Sequence, residues 1–463
     1  MRALSLRRFA RMPGMGANRG TIVPMKIAPL SGFPEWLPQD RIVEDRILDA
    51  LRRTFELHGF SGIETRAVEP LDQLLRKGET SKEIYVLSRL QGGPSQDSEM
   101  GLHFDLTVPL ARYVLEHAGK LDFPFKRYQI QKVWRGERPQ DGRFREFVQA
   151  DVDVVGEQTL PFHNEVELPL VMVDALSGLP IPRVVIRASN RKIAQGFYEA
   201  VGIEDVGETL RIVDKLDKIG PAAVAETLVE KAGTTPQQAD LALRLADVSG
   251  SDASVADRVR ELGQRSDLLE EGLDELVRLV EGANALIPGS VVADLKIARG
   301  LDYYTGSVYE SVLVGHEDLG SICSGGRYDS LVSDGKRTYP GVGLSIGVSR
   351  LVSRLIGKAT VSATRKVPTC VLIAVNDEGA RAAATATAMK LRRRGIPTDV
   401  SPTAAKFGKQ IKFADRRGIP FVWFSTDEGE QVKDIRTGEQ VEADPDAWVP
   451  ESSDYFPQLK ETK

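Results

Sequence analysis

The segment Arg299-Gly-Leu-Asp-Tyr-Tyr-Thr-Gly306 places a fixed cation, a carboxylate and two phenols close together in the chain. These groups suit a small zwitterionic ligand that also carries a polar ring, because they offer both charges and phenolic hydrogen bonds. In a strand, alternate side chains share a face, so Arg299 and Tyr303 are predicted to point away from Tyr304. The glycines near both ends of the segment predict tight backbone around this candidate site.

A second polar stretch runs from Phe125 to Asp153, where two runs with strand patterning flank a loop rich in arginine, proline and glycine. This arrangement predicts two antiparallel strands with a charged connection. The second strand has a polar and an apolar face: Phe147, Gln149, Asp151 and Asp153 against Val148, Ala150, Val152 and Val154. An acidic row is costly to bury unless ligands satisfy it. The polar face therefore predicts a binding site.

Two further segments carry candidate ligand contacts. In His103-Phe-Asp-Leu-Thr-Val-Pro109, a strand would place Asp105 and Thr107 on one side, where a carboxylate and a hydroxyl can share an ammonium group. The alternative is that Asp105 caps a local turn. In Gly341-Val-Gly-Leu-Ser-Ile-Gly-Val-Ser-Arg350, glycine allows close backbone approach to a ligand. The glycine spacing has one residue too many for a dinucleotide-binding loop, and the strand, helix and acidic partner of that motif are not predicted around it.

The elements before residue 189 must position most of these residues, and they predict one α+β unit. Ile42, Leu48 and Phe55 recur at helix-compatible intervals, and Gly59 is expected to end that helix. The segment Gly62–Pro70 that follows predicts a strand ending at proline.

Two regions of different character follow this unit. After Ser189 aromatic residues become rare until Tyr303, and helical spacing predicts a helical insertion of roughly a hundred residues. From Lys366 onward short apolar runs alternate with helical segments, which predicts a small sheet with helices packed on it. One of these helices carries Lys406, Lys409, Lys412 and Arg416 on one side and Phe407, Ile411 and Ala414 on the other. The basic side either contacts RNA phosphates or is an ordinary solvated face.

Composition and charge exclude several classes of protein. A length of 463 residues favours about two or three domains, and no apolar run is long enough to cross a bilayer. Cys323 and Cys370 cannot build a disulfide framework, which fits a reducing compartment, and the five scattered histidines argue against a structural zinc site. A net charge of −5 gives no overall attraction to nucleic acid, so RNA contacts must come from local basic patches. The arginines between Arg2 and Arg19 indicate a disordered tail, an upstream start codon or an organelle transit peptide.

Taken together, these segments resemble the histidyl-tRNA synthetases, a class IIa family of aminoacyl-tRNA synthetases. Arg299–Gly306 and Ser324-Gly-Gly-Arg-Tyr-Asp329 are similar to the two histidine-type signatures of the family. The stretch Arg135-Gly-Glu-Arg-Pro-Gln-Asp-Gly-Arg143 resembles class II motif 2, and Gly341–Arg350 resembles motif 3. The helix and strand that end at Pro70 look like motif 1, which builds the dimer interface in the family. The likeness runs from about residue 27 to about residue 440.

The resemblance implies a class II synthetase fold. Its catalytic domain is α+β, with an antiparallel sheet flanked by helices, and it is accompanied by a helical insertion and a C-terminal α/β anticodon-binding domain. The expected boundaries are 1–26 for a disordered basic extension, 27–188 with 287–365 for the catalytic core, 189–286 for the insertion and 366–463 for the anticodon-binding domain.

The family's site residues carry over to matching positions. The catalytic residues would be Arg299 and Arg135. The histidine-binding set would be Asp105, Thr107, Arg135, Gln149, Asp153, Arg299, Tyr303 and Tyr304. The ATP-binding set would be Arg135, Glu137, Arg143, Phe147 and Arg350. Asp153 and Tyr304 would bracket the imidazole nitrogens, and Phe147 would stack on adenine. Ser349 stands where many members have glutamate, which leaves the ligands of any magnesium ion open.

The implied activity is that of a histidine–tRNA ligase, which forms histidyl-adenylate from L-histidine and ATP and transfers the histidine to tRNA(His). The resemblance further implies Mg²⁺ accompanying ATP, a homodimer in the cytoplasm and no protein metal site or membrane partner. One alternative is a non-catalytic synthetase-like regulatory subunit of histidine biosynthesis. Another is a sister class IIa synthetase for glycine, proline or threonine, which would lack the two histidine-type signatures.

Overall fold

The computed structural model describes residues 28–77, 82–89, 99–140, 142–298, 300, 303–426 and 429–462. Its first part combines helices with the strands of two separate sheets. The helices are α1 Pro38–Leu57, α2 Leu71–Leu74, α3 Thr107–His117 and α4 His163–Ser177. The strands are β1 Ser61–Gly62, β2 Val68–Pro70, β3 Val86–Leu87, β4 Met100–Leu102, β5 Phe125–Trp134, β6 Glu146–Val155 and β7 Val184–Asn190.

Helix α1 confirms the helix predicted from the apolar spacing near the start of the chain. Proline occupies its first turn, where a missing N–H leaves no hydrogen bond unmade. Its buried side is formed by Val43, Ile47, Leu48, Leu51 and Phe55, and it packs against α4. Gly59, with φ of +78°, leads the chain out of the helix as expected.

The single strand predicted over Gly62–Pro70 is wrong. β1 joins the large sheet parallel to β5, whereas β2 pairs with β4 in a separate sheet of order β2-β4-β3. Between them Thr65 turns toward the large sheet, where its hydroxyl accepts a hydrogen bond from Gln129 and its carbonyl accepts one from Gln131. These side-chain bonds take the place of a strand ladder at this point, so the segment divides between two sheets.

Helices dominate residues 191–286. They are α5 Arg191–Val201, α6 Val206–Val213, α7 Leu216–Lys231 with a break at Gly220, α8 Pro236–Ala246, α9 Ser254–Arg260 and α10 Asp267–Leu286. A short strand, β8 Ser249–Gly250, lies between α8 and α9. Helix α10 packs on both α4 and α5, so its buried leucines join this helical layer to the core beside the large sheet.

The large sheet is completed by strands that follow the helical layer. These are β9 Val291–Asp294, β10 Ser307–Leu313, β11 Cys323–Tyr328 and β12 Gly341–Gly347, followed by helix α11 Val348–Gly357 and strand β13 Val361–Ala363. The strand order is β1-β5-β6-β12-β11-β10-β7-β9-β8. Apart from the parallel pairs β1–β5 and β7–β9, its neighbours are antiparallel. The centre of the sheet therefore brings β6, β12 and β11 side by side.

The last part of the chain forms its own sheet and hydrophobic core. Its elements are β14 Val371–Ile373, α12 Arg381–Arg393, β15 Thr398–Val400, α13 Phe407–Arg417, β16 Phe421–Thr426, β17 Gly429–Asp434, β18 Gln440–Glu442 and β19 Leu459–Glu461. The sheet order β15-β14-β16-β17-β18, with α12 and α13 packed on it, fits the predicted alternation of strands and helices. β19 lies apart, paired with β13.

Helix α13 begins at Phe407, so Lys406, which was predicted on its basic side, precedes the helix. Lys409, Lys412 and Arg416 are exposed on it, while Ala414 is buried against the sheet. The predicted division into a basic and an apolar side is confirmed for the residues that lie on the helix. Among the described residues, no helix is both long enough and apolar enough to cross a membrane.

Candidate functional site

A cleft of about 310 Å³ opens above the centre of the large sheet, between the β5–β6 hairpin and the start of α11. This volume falls within the usual range for small-molecule sites, roughly 300–1,000 Å³. The cleft is lined by Arg135, Glu137, Gly142, Arg143, Phe144, Phe147, Gln149, Ser321, Ile322, Ser324, Ser345, Gly347 and Arg350. The fold thus gathers all the residues predicted to bind ATP, from both sides of the sheet centre.

A smaller cavity adjoins the cleft and is lined by acids and phenols. Its lining residues are Thr107, Asp151, Asp153, Tyr303, Tyr304, Ser324, Gly325, Tyr328, Gly343, Leu344 and Ser345. Ser324 and Ser345 line both spaces, so cleft and cavity share one wall. Of the predicted histidine-binding residues, Thr107, Asp153, Tyr303 and Tyr304 lie here, while Arg135 and Gln149 lie in the larger cleft.

The cationic end of the cleft is organised around Arg135. Its Nε donates a hydrogen bond to the carbonyl oxygen of Phe104 at 3.0 Å, and its guanidinium carbon lies 5.2 Å from the centre of the Phe147 ring. Arg143 and Glu137 approach each other to 4.0 Å at the exposed side of the same loop. Arginine suits such a cleft because its planar fork binds phosphate or carboxylate oxygens in pairs and stays charged.

Helix α11 brings Arg350 to the opposite wall of the cleft. Its guanidinium donates to the backbone carbonyl oxygens of Ser321, at 3.0 Å, and Leu319. Ser349 faces the other way: it is buried, and its hydroxyl accepts a hydrogen bond at 2.9 Å from the backbone N–H of Val148 on β6. The residue that replaces the family's usual glutamate therefore ties α11 to the sheet and does not face the cleft.

The strand predicted for 299–306 is wrong over its described residues. The backbone N–H groups of Tyr303 and Tyr304 both donate to the carbonyl oxygen of Gly300, which makes this segment a turn before β10. Consequently the two phenol rings do not point apart: their centroids are 4.2 Å from each other. Arg299 lies outside the described residues, as do Leu301 and Asp302.

Glycine is required on both sides of the Tyr304 ring, which agrees with the tight backbone predicted around this segment. Gly300 has φ of +67°, and a Cβ there would lie 1.8 Å from Tyr304. A Cβ on Gly326, in the Ser324–Asp329 signature, would lie 2.9 Å from the same ring. Real Cβ atoms do not come so close, so both signatures contain glycine for a shared reason: they enclose one tyrosine.

The strand predicted to carry Asp105 and Thr107 is also wrong. Thr107 begins helix α3, and the carboxylate of Asp105 accepts a hydrogen bond at 3.1 Å from the N–H of Val108. The alternative of a local cap is thus what the structure contains for Asp105. Thr107 still reaches the small cavity, because the first turn of α3 points toward it.

The polar face of β6 is buried as a continuous row, and the alternation predicted for it is confirmed. Gln149 donates to the hydroxyl oxygen of Ser345 at 2.6 Å. Asp153 forms an ion pair with Arg127 at 2.6 Å and accepts a hydrogen bond from Tyr328 at 2.8 Å. Burial raises the pKa of Asp151 to about 7, against the opposing influence of Arg127. The face therefore mixes a paired carboxylate with one that binds a proton near neutral pH.

Sequence reasoning missed several polar residues around the site. β5 has its own polar row, Arg127, Gln129 and Gln131, which lies opposite Asp153, Asp151 and Gln149 in the ladder. Its period of two was visible in the sequence and is the signal that would have found it. Glu83 was missed as well: burial raises its pKa beside Arg135 and Glu137, and its short segment carries no periodic pattern.

Comparisons with known proteins agree with this geometry. The histidyl-tRNA synthetase family profile matches residues 32–351, and the anticodon binding domain profile matches residues 369–451. The histidine–tRNA ligase of Micrococcus luteus is 57% identical over 449 residues, which cover 93% of this chain and 98% of that protein. That of Cutibacterium acnes is 55% identical over 446 residues, with coverage of 93% and 98%.

Solved structures give the same result. The histidyl-tRNA synthetase from Nostoc sp. PCC 7120 superposes with a TM-score of 0.82 at 37% identity and covers 90% of this chain and 97% of that one. An ATP phosphoribosyltransferase regulatory subunit/histidyl-tRNA synthetase from Bacillus halodurans shares the fold, with a TM-score of 0.69 at 19% identity. The profiles, the identity over nearly the whole length and the superposition together establish that this chain belongs to the histidyl-tRNA synthetase family and is an aminoacyl-tRNA synthetase of class II fold.

Proposed function

We propose that the protein activates L-histidine with ATP and transfers it to the 3′ end of tRNA(His), releasing pyrophosphate and AMP. The observation that carries this proposal is the wall shared by the two cavities, formed by Ser324 and Ser345. An aminoacyl-adenylate has a nucleotide half and an amino-acid half, and the two adjoining spaces are proposed to hold one half each. The arginine-lined cleft suits the nucleotide half of this molecule. The smaller cavity, of about 20 Å³, offers acids and phenols as hydrogen-bond partners for the nitrogens of an imidazole ring.

The chemistry consists of two displacements. A carboxylate oxygen of histidine attacks the α-phosphorus of ATP, and the bond to pyrophosphate breaks. The terminal ribose hydroxyl of tRNA then attacks the carbonyl carbon of the mixed anhydride, and AMP leaves. Neither step needs a protein nucleophile, because positioning and charge stabilisation supply the catalysis. Arg135 and Arg299 are proposed to offset the negative charge that develops on the carboxylate and phosphate oxygens.

Residue roles follow the division between the two cavities. Asp153 and Tyr304 are proposed to hydrogen-bond the imidazole nitrogens, and Gln149 to hold the polar head of the amino acid. Tyr303 completes the wall beside Tyr304. Asp105 and Thr107 are proposed to hold the ammonium group. For ATP, the proposed contacts are Arg135, Glu137, Arg143, Phe147 and Arg350.

Magnesium is expected to arrive with ATP, coordinated largely by phosphate oxygens and water. Ser349, which stands where many family members have glutamate, faces the core and does not reach into the cleft. Glu137 lines the cleft and the carboxylate of Glu83 lies beside it, so these are the acidic groups proposed to face such an ion.

Partners beyond the active site are proposed from the family. The exposed cations of α13, Lys409, Lys412 and Arg416, suit contact with the phosphates of the tRNA anticodon arm. Residues 366–463 would then be the anticodon-binding domain, 189–286 the insertion and the remainder from residue 27 the catalytic core. A homodimer located in the cytoplasm is expected.

ATP–pyrophosphate exchange measured with each amino acid tests the proposal. Exchange is expected with histidine and is expected to be lost in Arg135→Ala and Arg299→Ala, with the fold retained by circular dichroism. Exchange with glycine, proline or threonine instead would indicate a sister synthetase. Silence with every amino acid would indicate the non-catalytic regulatory alternative.

A further inference from the structure

Arg127 on β5 lies directly opposite Asp153 on β6 in the antiparallel ladder. Opposite side chains of an antiparallel pair share a face, with Cβ atoms roughly 5 Å apart. Here Nη2 of Arg127 is 2.6 Å from Oδ2 of Asp153, and the two side chains are 0% and 4% exposed. The register therefore enforces the contact, since a slip of one residue would turn one partner to the other face of the sheet.

The carboxylate of Asp153 is also held from its other sides. The hydroxyl of Tyr328 donates a hydrogen bond to its Oδ1 at 2.8 Å. Gly343 lies opposite Asp153 on β12, and a Cβ at that position would be 1.9 Å from the same oxygen. The side chain thus lies over a glycine, between a cation and a phenol.

We propose that Arg127 is a positioning residue for selection of the amino acid, which acts by holding the Asp153 carboxylate ionised and oriented toward the ligand ring. This inference rests on the proposed function, in which Asp153 accepts the imidazole N–H. A buried carboxylate without a partner takes up a proton and then has lost the charge that makes it a strong acceptor. Asp151, two residues away on the same face, illustrates the tendency, because burial raises its pKa to about 7.

Arg127 can affect which ligand the site selects without contacting the ligand itself. An amino acid whose ring lacks an N–H at that place binds less tightly, because it leaves the buried acceptor without a hydrogen-bond partner. The penalty depends on the acceptor staying charged and fixed, which is the role assigned to Arg127. Arg127 lines neither the cleft nor the small cavity, and the two carboxylates that it faces, Asp153 and Asp151, belong to the small cavity. Its effect is therefore expected on histidine and not on ATP.

The test compares the KM for histidine and the KM for ATP in pyrophosphate exchange. Arg127→Met is expected to raise the KM for histidine about 10–100-fold and to leave the KM for ATP unchanged. This factor corresponds to the charge-assisted hydrogen bond proposed between the imidazole N–H and the ionised Asp153. Arg127→Lys, which keeps the cation, is expected to give an intermediate KM. Arg365→Met removes another buried arginine and serves as the matched control, with an unchanged KM for histidine.

A double-mutant cycle covers the case in which Arg127→Met does not fold because Asp153 is left as an uncompensated buried charge. Asp153→Asn is expected to raise the KM for histidine by itself. Adding Arg127→Met to it is expected to change the KM by no more than about twofold, since the carboxylate with which Arg127 forms its ion pair is then already gone. A further tenfold rise, or a normal histidine KM in a folded Arg127→Met variant, would overturn the inference. A wild-type protein without histidine-dependent exchange would instead refute the proposed function.

Discussion

The guanidinium carbon of Arg135 lies 5.2 Å from the centre of the Phe147 ring, so a cation covers one face of an aromatic side chain at the mouth of the cleft. Such pairs are worth about 0.5–2 kcal/mol, depending on how far they are removed from water. The ring holds the arginine near the position where phosphate and carboxylate oxygens are proposed to meet. It also presents a flat apolar surface to the cleft, as a nucleotide base requires.

Replacing Phe147 by leucine is therefore expected to weaken ATP binding. Loss of base stacking, at about 1–3 kcal/mol for an aromatic residue, corresponds to a rise of roughly 5–150-fold in the KM for ATP. The KM for histidine should change less. Phe144→Leu is the control, because Phe144 lines the same cleft but packs edge-on against Trp36. Equal effects of the two substitutions would contradict a specific stacking role.

Asp105 caps the start of α3 and is also proposed to hold the ammonium group, and one substitution separates these two roles. Asp105→Asn keeps an oxygen that can accept from the N–H of Val108 but removes the charge proposed to hold the ammonium group. The expected result is a rise of about 10–100-fold in the KM for histidine with little change in Tm. Asp105→Ala should lower Tm in addition, because the cap is lost. A normal histidine KM in the asparagine variant would show that Asp105 is a cap and nothing more.

Asp151 makes stability depend on pH in a defined direction. Burial raises its pKa to about 7, from an ordinary value near 3.9, so the folded state binds this proton more tightly than the unfolded chain. Its contribution to stability is full below about pH 4 and is lost as the pH rises through about 7. Asp151→Asn removes this titration. The Tm of the variant relative to wild type should therefore increase between about pH 5 and about pH 8, measured by calorimetry. A difference that stays constant or decreases would contradict the assignment.

Arg365 is a buried arginine that ties the segment after β13 to the end of the chain. Its guanidinium donates to the backbone carbonyl oxygens of Val367, Pro368, Asp454 and Tyr455. Arg365→Met leaves these acceptors without their donor, and a fully buried acceptor left unsatisfied, as the carbonyl of Asp454 would be, costs about 1–3 kcal/mol. The expected result is a lower Tm and slower aminoacylation of tRNA with pyrophosphate exchange preserved. Lys390→Met, which breaks an exposed ion pair with Asp446, is the control and should leave both unchanged. Loss of exchange in Arg365→Met would show that Arg365 supports the active site itself.

Several parts of the fold could be predicted from local patterns alone. Helix α1 follows from apolar spacing and a terminal glycine, and the alternation of β6 follows from a period of two, because both depend on neighbours in the chain. The turn at Gly300 could not be predicted this way. The residues around Tyr303 and Tyr304 fit a strand equally well. The place that the Tyr304 ring takes in the turn depends on Gly326, a residue from another strand, where a Cβ would lie 2.9 Å from the ring.

The sequence by itself determined which chemical groups the site can use. These are arginines flanking a hairpin, carboxylates at alternate positions of a strand, a pair of tyrosines, and glycines where a larger side chain would not fit. Tertiary structure decided which of these meet. Arg127 and Asp153 are 26 positions apart in the chain, and only the β5–β6 register makes them partners. Ser349 faces Val148 and not the cleft because α11 packs on β6. The type of each residue is a property of the sequence alone. Strand register and the packing of helices on the sheet depend on contacts throughout the core, and these two features place the charges of this site.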